Sequence, residues 1–527
     1  MKPPCDEAVI ASGHPGIPCP TEAGPWILAA TILGSSMAFI DGTVVNVALP
    51  ALQSSLGGTV IDMQWVVESY GLFLSALILA GGSMGDLFGR RRIFLVGVAT
   101  FATASAGCGL AHSIRQLVLT RAMQGVGAAL LVPGSLSIIS ASFGEKERGR
   151  AIGTWSGFTA ITAAMGPILG GWLIEHASWR WIFFINVPIA AAVIVFSLWR
   201  VPESSMEQPK SVDWIGALIV TAGLAGVTYG FLESPKSGWT NPSVWGALIV
   251  GCACLVAFPS FEAHARAPMV PLGLFRSRNF AGANWLTLFL YAALGIFFFL
   301  FPLNLIQVRH YSATATGAAA LPLILLMFLL SRWSGGLVAR YGAKPPLVIG
   351  PLIAAVGFLL FAVPSDAGGY WTAFFPGFVV LGLGMAVSVA PLTTVVMGAV
   401  DQNHAGTASG INNAVARVAG LFAVAILGIV MVGAFSRQMS RSLAQLNLPA
   451  GVQHALESNE ITLAGLTIPA ELDPTTAATL RVSVDRAFLS GFRLIMLICA
   501  SLAVTSAAFS GATIVGPARR KRGFGDS

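Results

Sequence analysis

Fourteen mostly apolar stretches follow one another along this chain, at 26–50, 63–86, 92–112, 115–140, 149–176, 179–200, 213–232, 244–263, 281–306, 315–338, 345–364, 371–399, 405–434 and 488–515. About 20 apolar residues cross a bilayer as a helix. In lipid a backbone must satisfy its own hydrogen bonds, so runs of this length predict spanning helices. Only 10% of the residues are charged and 55% are hydrophobic. A soluble domain carries about 25% charged residues, and no soluble fold of this length hides so much apolar surface. The expected fold class is therefore an all-α integral membrane protein with 14 transmembrane helices.

An even number of spans puts both ends on one side, and the cations say which. One set of connections holds clusters such as Arg90, Arg91 and Arg92, then Lys146, Arg148 and Arg150, and finally Arg519, Arg520, Lys521 and Arg522. The short connections on the opposite side hold only Arg115, Arg180, Lys236 and Arg309. By the positive-inside rule the clustered side is cytoplasmic, with both termini there. The net charge of +7 is thus topogenic, and no nucleic-acid partner is expected. Residues 1–25 lack the pattern of a cleaved leader and are expected to be a retained tail. The 435–487 interval is polar and is the one sizeable loop outside the membrane, either a lid or a linker. No G-x-x-x-x-G-K-[ST] phosphate loop and no H-E-x-x-H occurs, which argues against ATP-driven transport and against a zinc hydrolase. No metal or other cofactor is expected.

Within this apolar background a few ionisable residues stand out. Asp41 interrupts the run FIDGTVVNVALP, Glu68 lies in QWVVESYGL, and Arg121 lies in LTRAMQGVGAA. At 1.5 Å per residue these sit about 13, 9 and 10 Å below the outer surface, in one layer. A charge at that depth costs roughly 2.5–3.5 kcal/mol even on lenient insertion scales, and such residues find one another or line a wet cavity. Asp41 is thus a candidate site alternating between a proton and a substrate. Burial favours its neutral form and a nearby arginine its charged form. The plainer alternatives are a static partnership of Asp41 with Arg121 or Asn46, and a Glu68 held in a wet first helical turn after a cap at Asp62.

The chain also repeats itself. GSMGDLFGRRR (82–92) and GGLVARYGAKP (335–345) align Gly82 with Gly335 and Gly89 with Gly342, while Asp86 becomes Ala339. Each copy falls between the second and third helices of a six-helix block, as in transporters built from repeats. The first copy resembles the loop motif of the major facilitator superfamily, with Leu87 standing where a basic residue is usual. LTRAMQGVGAA resembles the fourth-helix motif of that superfamily. GTWSGFTAITAAMGPILGG (153–171) resembles the fifth-helix motif of its proton-driven exporters through Gly153, Gly166, Pro167, Gly170 and Gly171. With FIDGTVVNVALP, QWVVESYGL, WRWIFFINVP and GTASGINNAVARVAG, the chain is similar to the fourteen-spanner drug:proton antiporters of the QacA/EmrB type.

That resemblance implies a major facilitator fold of two six-helix bundles plus two extra inserted helices. The corresponding segments are a cytoplasmic tail 1–25, a bundle 26–200, a linker with the extra pair 201–280, a bundle 281–515 and a basic tail 516–527. It implies a proton-coupled exporter of amphipathic small molecules in the cell (inner) membrane, powered by the proton gradient, acting as a monomer and conferring multidrug resistance. A dedicated exporter of a single metabolite or antibiotic on the same scaffold is the alternative. Asp41, Arg121 and Glu68 are the expected proton-coupling residues, and Gly82, Asp86, Gly89, Arg90 and Arg91 the expected gating loop. Asn46, Tyr70, Gln124, Tyr291, Asn412 and Arg417 are candidates to touch a small lipophilic substrate. Whether an adaptor protein is used is open.

Overall fold

A computed structural model of the chain describes residues 23–205, 212–265, 268–363, 369–400, 405–444, 456, 460–466, 468 and 472–515. The two tails and the basic residues Lys210, Arg266 and Arg519 to Arg522 lie outside the described residues, as do Asp366 and Asp401. Among the described residues fourteen helices are long and apolar enough to cross a membrane. They are α1 (Gly24–Leu56), α2 (Val60–Phe88), α3 (Arg90–Gly109), α4 (Ile114–Ser142), α5 (Glu145–His176), α6 (Trp181–Arg200) and α7 (Trp214–Ser237). They continue with α8 (Pro242–His264), α9 (Arg278–Val308), α10 (Ala313–Ser331), α11 (Lys344–Ala362), α12 (Phe375–Gly398), α13 (Ala405–Leu443) and α14 (Pro474–Thr513). Each falls on one of the fourteen apolar stretches.

Local chemistry sets the helix ends. Pro25 opens α1, and Gly57 closes it in the left-handed conformation (φ 64°). α2 begins with a capping box in which Thr59 is the cap and Asp62 reaches back to the Thr59 N–H at 2.8 Å. The cap is thus Thr59 rather than Asp62. α13 and α14 run further into the 435–487 interval than hydropathy suggests, and α14 starts at Pro474 instead of 488. Its first three turns are amphipathic and polar, so a window built to find lipid-facing sequence passes over them.

The chain divides into two compact units. Unit 1 comprises Met1–Val270, Gly295–Ala319 and Gly420–Ile495. Unit 2 comprises Pro271–Leu294, Ala320–Ala419 and Met496–Ser527. Unit 1 contains α1 to α8 together with one end each of α9, α10, α13 and α14. Its core rests on close backbone approaches. A side chain begun at Gly127 of α4 would stand 2.5 Å from Phe101 N of α3, so nothing larger than glycine fits there. Large apolar residues such as Leu218 (70% exposed) and Val256 (77%) face outward on α7 and α8, where lipid rather than water is their partner. In unit 2, α11 and α12 meet through Gly350, Gly357 and Gly384 in the same manner.

Candidate proton-coupling site

The expected layer of ionisable residues exists in unit 1, and its members divide sharply. Asp41 is fully buried, and Arg121 is 1% exposed. Arg121 donates to Asp41 Oδ2 through Nη1 in a very short ion-paired contact. The same nitrogen reaches Gln124 Oε1 at 2.8 Å, and Arg121 Nε donates to the Val66 carbonyl at 3.1 Å. Gln124 Nε2 closes the ring by donating to Asp41 Oδ1 at 2.8 Å. The guanidinium also lies 4.3 Å over the Tyr70 ring, and the Tyr70 hydroxyl donates to the Ala38 carbonyl at 3.2 Å. One charge pair therefore fastens α1, α2 and α4 together. A second layer of support comes from Ser105 of α3, which accepts from Gln124 at 3.1 Å and from Asn186 of α6 at 2.9 Å.

Glu68 is different. It is 3% exposed, in the third turn of α2, and no hydrogen bond or ion pair holds its carboxyl among the described residues. It is therefore not in a wet first turn. Ionising a buried carboxyl with no cation and no donor beside it is costly. This layer thus holds one carboxylate that is paired on both oxygens and one carboxyl that nothing holds among the described residues.

Two of the substrate candidates belong to this clamp. Gln124 is the third member of the Asp41–Arg121 ring, and Tyr70 lies beneath the guanidinium. Spacing carried a signal for Gln124, because Arg121 and Gln124 at i and i+3 share a helix face. Asn46 does not partner Asp41; among the described residues its amide reaches the Gly42 carbonyl, at 3.5 Å. In unit 2, Asn412 of α13 donates to Asn284 Oδ1 at 3.1 Å and Thr287 Oγ1 at 2.7 Å, both on α9. Tyr291 and Arg417 are half-buried in the same unit.

The loop between α2 and α3 is braced by acids. Asp86 accepts from Arg90 at 2.9–3.0 Å within the loop itself. Glu203, which no motif singled out, accepts the Arg91 N–H at 3.0 Å and lies 3.7 Å from the Arg91 and Arg92 side chains. Gly89 turns the chain at φ 104°, and a side chain there would meet Glu203 Oε1 at 2.8 Å. Its counterpart in the repeat, Gly342, turns at φ 84°, so the alignment at an offset of 253 holds in backbone geometry. Gly82 and Gly335 are spacious by comparison. Leu87 packs against the cluster of Ala80, Val212, Ala217 and Met269, which is what an apolar residue gains where the family motif has a charge.

The fifth-helix motif supplies a small-residue seam. Gly166 and Gly170 lie against Thr43 and Val44 of α1, and a side chain at Gly170 would fall on the Val44 methyl. Pro167 cannot donate to the Ala163 carbonyl four residues back, and the Thr43 hydroxyl lies 3.2 Å from that orphaned oxygen. Gly171 faces α10, where a side chain would stand 2.6 Å from Thr314 Cα. Gly153, by contrast, has open space around it. On the same face Glu175 accepts from the Thr314 N–H and hydroxyl at 2.7 Å. Gln64 of α2 donates to Val424 of α13 at 3.0 Å, and Gln53 accepts from Gln307 at 2.8 Å while donating to Thr462 at 3.2 Å. Within unit 1 these bonds tie α1, α2 and α5 to the neighbouring ends of α9, α10 and α13.

Fourteen membrane helices, a doubled glycine-turn loop and an intramembrane charge clamp define a multi-pass secondary transporter. The sequence profile of the Major Facilitator Superfamily matches residues 31–424, and the chain belongs to that family, with the span number of its fourteen-helix drug:proton antiporters. It is 33% identical to the tetracenomycin C resistance and export protein of Streptomyces glaucescens over 94% of this chain and 92% of that one. It is 36% identical to the multidrug resistance protein Stp of Mycobacterium tuberculosis over 79% and 77% of the two chains. Among solved structures, a bacterial homolog of the human lysosomal transporter Spinster, inward-facing and unoccupied, superposes with a TM-score of 0.62. That match covers 95% of this chain and all of the other at 20% identity, a likeness of fold.

Proposed function

We propose that the protein is a proton-coupled exporter of amphipathic small molecules, in which Glu68 carries the coupling proton and Asp41–Arg121–Gln124 is a fixed charged clamp. The observation that carries this division is the contrast between a carboxylate held on both oxygens and a buried carboxyl held on neither. Two acids in contrasting environments take different roles. Arg121 stays charged at any pH a cell meets, so protonating Asp41 would strand a buried cation, whereas Glu68 changes charge without breaking an ion pair. Export is supported by the relatives, one named for resistance and export and another for multidrug resistance. The energy source is the proton gradient, worth about 2.3 kcal/mol per charge per 100 mV from the potential alone; no cofactor is needed. The cation clusters support a cytoplasmic orientation for the 82–92 loop under the positive-inside rule, and with it export across the cell membrane.

The test is compound-driven proton movement in everted membrane vesicles. A panel of lipophilic cations, neutral aromatics and antibiotics is added to wild type. Proton release with several chemically distinct compounds is expected. Release with one compound alone would show a dedicated exporter, and silence across the panel would contradict the reading.

A further inference from the structure

The inserted helices carry an acid pair, a half-buried Asp213 and a buried Glu262, that the transport reading does not use. Asp213 caps the N-terminus of α7, and its Oδ1 accepts the Gly216 N–H at 2.8 Å. Glu262, near the end of α8, is 2% exposed, and its Oε2 accepts the Val270 N–H at 3.1 Å. That leaves one oxygen on each, Asp213 Oδ2 and Glu262 Oε1, enclosed and without a donor. The two lone oxygens face one place. A side chain begun at Gly216 would stand 2.9 Å from Glu262 Oε1 and closer still to Asp213 Oδ2, so the two oxygens border one small space. Residues close to the pair in sequence, Val212, Ala217 and Met269, pack with Ala80, Leu77 and Leu87 of α2 in one apolar cluster.

Two ionised carboxylates in that setting are acceptors facing acceptors, with like charges and little solvent. A single proton turns the contact into an O–H···O bond, the solution that paired catalytic aspartates adopt for the same reason. We propose that Asp213 and Glu262 share one proton, and that this pair fastens the bases of α7 and α8 to Met269–Val270, where the chain leaves unit 1. A metal would need more than the pair offers. Calcium takes roughly 6–8 oxygen ligands, and no group of three or more metal-ligating side chains occurs among the described residues. Lys210 and Arg266 lie outside the described residues; among those described, the nearby charged groups are engaged elsewhere. His264 bonds the Ser260 carbonyl at 2.8 Å and is exposed, and Asp86 on α2 is paired with Arg90. Neither Asp213 nor Glu262 forms an ion pair among the described residues. Gly216 is required because any side chain would part the two oxygens.

The experiment is infrared titration of the purified full-length protein in lipid nanodiscs, read beside its melting temperature. Wild type should show a buried carboxylic-acid carbonyl band that disappears in one step as pH rises, with melting temperature falling in the same step. Glu262→Gln and Asp213→Asn should each lack that band and melt at a temperature flat across the step, because an amide donates without titrating. Glu68→Gln should retain the step. Should Glu262→Gln fail to fold, Asp213→Asn carries the measurement, since asparagine caps a helix as well as aspartate does. A band and melting step unchanged in both amide variants would overturn the proposal. So would a wild-type melting temperature raised by sodium, magnesium or calcium and lost in both variants, which would show a cation in place of the proton.

Discussion

Asp41 and Glu68 lie in the same layer of the same unit, both almost wholly buried, yet they are held in opposite ways. Asp41 has every oxygen accounted for by Arg121 and Gln124. Glu68 has neither a cation nor a donor among the described residues. Depth in the membrane alone does not mark a proton carrier; what matters is what the protonation change would break. At Asp41 it breaks a clamp across three helices, and at Glu68 it breaks nothing.

The largest effect expected from disturbing this contrast is that of Arg121→Ala. It leaves Asp41 as a lone buried charge, and breaking a buried pair on one side costs about 3–5 kcal/mol. The purified variant should melt well below wild type or fail to accumulate. Combining it with Asp41→Asn should recover much of the loss, measured by thermal unfolding in detergent. An unaffected single variant would mean that the clamp is not a structural unit.

Gln124→Leu should come next. It removes a donor to Asp41 Oδ1 and an acceptor from Arg121 while leaving both charges buried, at a cost of about 1–3 kcal/mol. Unfolding should report that loss, while compound-driven proton release per folded molecule survives. Tyr70→Phe sharpens the comparison at the low end. It deletes the hydroxyl that bonds Ala38 but keeps the ring under Arg121. The expected loss is about 0.5–1.5 kcal/mol, with proton exchange unchanged.

Much of this was legible before any coordinates. Spanning helices announce themselves because lipid demands long apolar runs. Asp41 and Arg121 were legible as partners because two opposite charges at one depth have few other ways to be satisfied. The internal repeat was legible as well, since Gly89 and Gly342 adopt a turn that other residues resist. What escaped was chemistry assembled from residues far apart in the chain. Glu203 braces a loop 112 positions upstream, and Asp213 meets Glu262 only because α7 and α8 fold back on each other. The start of α14 at Pro474 escaped for a different reason, since Arg481 and Asp485, paired at 3.4 Å, make its first turns read as loop. The absence of partners around Glu68 was equally illegible, because a sequence shows which groups exist and not which remain unheld.

The central claim is tested most directly by compound-driven proton release in everted vesicles, comparing Glu68→Gln with wild type at matched amounts of folded protein and with bound compound measured in parallel. The account predicts that Glu68→Gln still binds the compounds that wild type exports but releases no protons when they are added. Proton release at the wild-type level from Glu68→Gln would contradict it.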